Sequence, residues 1–127
     1  MSAALTEAGH KTGLYTSPHL VRFAERIKID GHDITGPEFA SAMAAIRPAL
    51  DAYPEATYFE VATILALRPF VDAHVDVALI AVGLRGRLYA TNRSDSPLAT
   101  LTTNISLVHT DVLGTTAAAL AAATARL

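Results

Sequence analysis

Apolar and polar residues alternate with two different periods along this chain, and the switches between them mark its elements. Ser2 to Ala8 reads as the last turns of a helix closed by Gly9, the residue that most easily adopts a left-handed C-terminal cap. With no N-cap ahead of it, that helix looks like the end of a longer one. Thr12 to Thr16 is a short strand, stopped by Ser17-Pro18 because proline cannot donate to a sheet ladder. Arg26 to Gly31 alternates polar and apolar residues and then turns at Asp30-Gly31, a hairpin signal.

Helical spacing follows. Thr35-Gly36-Pro37-Glu38 opens a helix that should run to about Leu50, and Asp51 to Pro54 is a linker. Thr57 to Arg68 is apolar on nearly every face, which predicts a buried helix. An interior proline costs about 3 kcal/mol, so this helix is expected to end at Arg68 or to kink at Pro69. Val75 to Val82 is almost continuously apolar, as in a parallel strand covered on both sides, and Gly83 and Gly86 interrupt it. Leu98 to Thr103 reads as another strand. Gly114-Thr115-Thr116 caps an alanine-rich helix that continues to the C-terminus. Strands alternating with helices predict an α/β fold with a mostly parallel sheet flanked by helices.

Composition narrows the function classes. The chain has 127 residues, enough for one core and not two. A net charge of −2 supplies no basic field for nucleic acid or acidic lipid. No cysteine is present, which excludes disulfides and thiolate metal sites. No stretch approaches the ~18 apolar residues of a membrane span, and the N-terminus lacks a signal-peptide pattern, so a cytoplasmic protein is expected.

Four segments carry chemistry, in order. They are Gly13-Leu14-Tyr15-Thr16-Ser17-Pro18-His19-Leu20 with Glu25-Arg26-Ile27; Thr57-Tyr58-Phe59-Glu60; Val82-Gly83-Leu84-Arg85-Gly86-Arg87-Leu88-Tyr89-Ala90-Thr91-Asn92; and Ile105 to Gly114. Together they resemble the patterns G-L-Y-T-S-P-H-L…N-E-R-I, T-F-F-E, E-V-G-L-G-G-R-L-D-A-T-N and I-G-L-D-H-T-x-x-L-G of folylpolyglutamate and dihydrofolate synthases, relatives of the Mur ligases. The resemblance implies an incomplete Mur-ligase-like ATP-binding domain over 1–127, without the separate C-terminal domain. It also implies a reaction: ATP phosphorylates a pteroate or folate carboxylate, and the amine of glutamate attacks the acyl phosphate. ATP and Mg2+ are the implied cofactors; folate or pteroate and glutamate are the implied partners.

By the same resemblance, Ser17 and His19 line the folate side of the cleft, Phe59 stacks on the pterin ring, and His109 is a magnesium ligand. Each has a plainer alternative. Ser17-Pro18 could simply end a strand, Phe59 could be core, and His109 could pack at a strand end. Arg87 and Asn92 match family positions but also suit an ordinary loop. Glu60 would be costly to bury charged, and either meets a polar partner at the cleft or sits at the helix start, where the dipole favours it.

Departures from the pattern fall at chemical positions. The G-T-N-G-K-G-S phosphate loop would precede Met1, and no G-x-x-x-x-G-K-[ST] occurs elsewhere. Ala81 stands where the family has its magnesium glutamate. Arg85 replaces a glycine, Tyr89 a pterin-binding aspartate, Val108 the aspartate before the histidine, and Thr124 the lysine of E-K-A-G-I. The expectation is therefore a fragment of such a ligase that is inactive as it stands. The alternative is a non-catalytic remnant that binds a pterin or a homologue. An unpaired strand edge is expected to promote self-association.

Overall fold

In the computed structural model the described residues are 1–81, 97–101 and 116. The chain divides into two compact units, Met1–Ala81 and Val82–Leu127. The first unit holds all the helices and strands of the described residues. Its elements are α1 (Ser2–Glu7), β1 (Thr12–Tyr15), a 3₁₀ turn (Phe23–Arg26), β2 (Ile27–Ile29), β3 (His32–Asp33), α2 (Gly36–Ala52), α3 (Tyr58–Ala73) and β4 (Val77–Ile80). The strands form one mixed sheet in the order β3-β2-β1-β4. The fold is α/β. Parallel pairing joins β1 to β4, with Tyr15 opposite Ile80, and the β1–β2 and β2–β3 pairs are antiparallel.

Local signals set most boundaries. Gly9 has φ +90°, and its N–H bonds the Thr6 carbonyl as α1 ends. Asp30 and Gly31 both have positive φ, as a tight hairpin turn requires. Asp30 also ties the hairpin to β1, its Oδ1 accepting from the Thr12 N–H at 2.8 Å. Both long helices open with a reciprocal capping box. In α2 the Glu38 carboxylate accepts from the Thr35 N–H at 2.7 Å. In α3 the Glu60 carboxylate accepts from the Thr57 N–H at 2.8 Å, which places Glu60 at the helix start rather than in the core.

Two expectations are corrected. The helix α3 does not end at Arg68; it continues through Pro69 to Ala73 and closes on His74, whose φ is 53°. Tertiary packing outweighs the proline penalty, because continuing the helix buries Pro69 and Phe70, the latter 3% exposed. Phe70 lies on Gly13, where a Cβ would come within 2.7 Å of its Cδ1. The strand read at Leu98–Thr103 is also not seen over its described part, Leu98–Leu101, which follows Pro97, a residue with no N–H to donate. The helix read from Gly114 lies outside the described residues, apart from Thr116.

The core sits between one sheet face and α2 and α3. It comprises Tyr15 and Ile27 from the sheet, Ile34, Ala42 and Ile46 around α2, and Ala62, Leu65, Ala66 and Phe70 from α3. On the other face the buried Thr12 hydroxyl lies 2.7 Å from that of Thr6 on α1. The strand β4 is shorter than its apolar run and less covered than expected: Ala78 is exposed and its neighbours are half-buried. Among the described residues it pairs only with β1. Asp76 pins its start, accepting from the Lys11 N–H at 2.8 Å and donating its own N–H to the Lys11 carbonyl at 2.7 Å. No helix among the described residues is long and apolar enough to cross a membrane.

Candidate functional site

The carboxyl ends of β1 and β4 lie side by side, and in open α/β sheets such ends carry ligands. The Ala81 N–H bonds the Tyr15 carbonyl at 2.9 Å, which sets Ala81 beside Thr16 at this end. From Thr16 the chain runs through Ser17, Pro18, His19, Leu20 and Val21 into the 3₁₀ turn. Leu20 and Val21 are 91% and 83% exposed. What holds this loop is Glu25, whose carboxylate accepts from the N–H groups of Leu20 at 2.9 Å, Val21 at 3.2 Å and Arg22 at 2.8 Å. Those donors, Leu20 foremost, hold the Glu25 carboxyl below the usual carboxylate range.

Arg26 is the centre of the cluster. It is 6% exposed, and among the described residues no carboxylate pairs with it. Its guanidinium donates from Nε to His19 Nδ1 at 2.7 Å and from a terminal nitrogen to Ser17 Oγ at 3.0 Å. Its Cζ lies 5.6 Å from the ring centroids of both Phe23 and Tyr58. Ring faces carry negative charge density, so these contacts partly compensate a desolvated cation. The rings brace one another: Phe23 meets Phe39 edge-on at 5.6 Å, and His19 packs on Phe23 at 5.9 Å. Arg26 therefore ties the loop after β1 to the start of α3.

Ser17 and His19 are thus brought together, through an arginine that sequence reasoning left without a role. Its only signal was membership of the matched Glu25-Arg26-Ile27 segment. Phe59, next to Tyr58, is half-buried; it packs against the core and lies 6.3 Å from the Tyr15 ring. His109 lies outside the described residues, as do Arg85, Arg87, Tyr89, Asn92, Val108 and Thr124.

The described residues at this end do not by themselves make a magnesium site. The Ala81 side chain has no ligand atom, and Ser17 Oγ accepts from a guanidinium N–H, which sets a positive charge against it. Among the described residues no three His, Asp or Glu side chains converge as ligands.

No family model matches the chain. Its relatives are nonetheless consistent. It is 42% identical over 114 residues to the dihydrofolate synthase/folylpolyglutamate synthase of Escherichia coli, a match covering 90% of this chain and 26% of the relative. It is 37% identical to the folylpolyglutamate synthase of Arabidopsis thaliana, covering 94% of this chain and 20% of that one. The solved E. coli FolC in complex with DHPP and ADP superposes with a TM-score of 0.91 at 38% identity, over 98% of this chain and 30% of that one.

The chain belongs to the folylpolyglutamate/dihydrofolate synthase family. It spans about a quarter of the length of the E. coli relative. A folylpolyglutamate synthase in complex with AMPPCP and folate gives the same picture, with a TM-score of 0.92 at 37% identity. In this family's fold the chain supplies α1 to β4, and the Arg26 cluster stands at the carboxyl end of β1.

Proposed function

We propose that the chain is part of a folate–glutamate ligase of the carboxylate–amine class, and that by itself it holds a pteroate or folate without joining glutamate to it. The Arg26 cluster carries this reading. A buried cation with no carboxylate partner among the described residues, framed by aromatic rings, suits a ligand that is both a flat heteroaromatic and a carboxylate. Relatives captured with folate, DHPP, ADP and AMPPCP support this ligand class and ATP as the cosubstrate of the whole enzyme. Ser17, His19 and Phe59 line the folate side in this reading, and His109 is the remaining candidate magnesium ligand. The cytoplasm is the compartment it implies.

A second reading is a non-catalytic binding module. Ala81 favours it: the residue stands at the joined ends of β1 and β4, where the family pattern has a glutamate, and offers nothing to a cation or a transferring phosphoryl group. The test is to incubate the chain with ATP, Mg2+, glutamate and dihydropteroate and to separate the products. No pteroyl-glutamate above a protein-free control is expected. ATP-dependent product would overturn the claim that the chain does not ligate.

A further inference from the structure

The cluster has a direction that follows from proton bookkeeping. A guanidinium only donates hydrogen bonds, and it stays charged at any ordinary pH. Wherever Arg26 meets a side chain, that atom must present a lone pair. At 2.7 Å from Arg26 Nε, His19 Nδ1 must therefore carry no proton, which leaves a neutral ring protonated at Nε2. At 3.0 Å from the terminal nitrogen, Ser17 Oγ is an acceptor and keeps its own proton for another partner.

We propose that Arg26 is the positioning residue of this loop: by donating to His19 Nδ1 and Ser17 Oγ, it sets the His19 Nε2–H and the Ser17 O–H as the loop's hydrogen-bond donors. A pair of donors beside a buried cation recognises an acceptor-only group, such as a carboxylate or carbonyl oxygen. That choice of ligand rests on the folate reading above; the polarity of the loop does not. The surroundings reinforce it. His19 packs its ring on Phe23, and Glu25, the nearest carboxylate in the sequence, is spent on the N–H groups of Leu20, Val21 and Arg22. Arg22 is turned to Asp33, at 3.4 Å.

The experiment is a long-range proton–nitrogen correlation of the imidazoles in the full ¹⁵N-labelled chain at neutral pH, with His19 assigned by its loss in His19→Gln. The native chain should show His19 as one neutral tautomer, protonated at Nε2. Arg26→Met, which keeps the stem and removes the donors, should release the ring to the mixture of a free imidazole, in which the Nδ1–H tautomer becomes detectable beside Nε2–H. Arg26→Lys, which keeps a donor cation, should restore the single tautomer at least in part. A native His19 protonated at Nδ1, or mixed, overturns the proposal whether or not the variants fold. So does a folded Arg26→Met chain whose His19 keeps the single Nε2–H form. A single native tautomer that Arg26→Met releases, in a chain that fails to bind folate, would sink the ligand assignment and leave the positioning role established.

Discussion

The ring of Phe70 occupies the space that a side chain on Gly13 would need: a Cβ there would stand 2.7 Å from Phe70 Cδ1 and 2.8 Å from Cγ. Alanine is the better strand residue, by about 0.5–1 kcal/mol. Here overpacking outweighs propensity, because Phe70 is itself buried and cannot swing aside. Gly13→Ala should therefore destabilise the fold by about 1–3 kcal/mol, read as a lower denaturant midpoint at constant slope. An unchanged or raised midpoint would show that the sheet and α3 are farther apart than described.

Tyr15 offers the opposite expectation. Its side chain is fully buried, and among the described residues its hydroxyl has no hydrogen-bond partner. A buried unsatisfied polar group costs about 1–3 kcal/mol. Tyr15→Phe keeps the ring against Phe59 and removes the orphan, so the chain should melt at a higher temperature. A clear loss of stability would mean that the hydroxyl is satisfied.

Acid should loosen both the loop after β1 and the start of α2. Backbone donors lower the Glu25 carboxyl, and the Thr35 N–H and hydroxyl lower that of Glu38, each from an ordinary value of 4.5. A carboxyl depressed by folding adds stability above its unfolded value, and that contribution disappears as pH falls through the folded value. Both groups are largely solvated, so each effect is small. Melting temperature followed from pH 6 downward (an interval of about three units spans the titration) should fall more steeply for the native chain than for Glu25→Gln/Glu38→Gln. Parallel curves would count against these bonds as stabilising.

Self-association is the fourth expectation. β4 pairs on one side only among the described residues, and Ala78 on it is exposed. Such an edge can add a strand from another copy. Sedimentation should show mass rising with concentration, and Ala78→Lys should shift the chain toward monomer. A native chain that stays monomeric at every concentration would refute it.

What the sequence disclosed, and what it withheld, divides by distance along the chain. Gly9, the Asp30-Gly31 turn, and the Thr35–Glu38 and Thr57–Glu60 caps are local chemistry, complete within a few residues, and the structure uses each of them. Pro69 misled because its penalty is local while its compensation, burial of Phe70 on Gly13, comes from a distant strand. Arg26 was silent for the same reason. Its partners Ser17 and His19 stand nine and seven residues away, and Tyr58 opens another helix. No period or spacing rule connects them. Ser17 and His19 were legible only as matched motif residues; that they share a cation required the fold.

Folate binding centred on Arg26 is tested most directly by an equilibrium titration of folate into the chain. The native chain should bind saturably. Arg26→Met should weaken binding tenfold or more, since a hydrogen bond to a charged group is worth about 1.5–3 kcal/mol. Tyr58→Ala, which removes a ring 62% exposed and should leave the core intact, should weaken it measurably. No saturable binding by the native chain, or equal affinity in a folded Arg26→Met variant, would contradict the account.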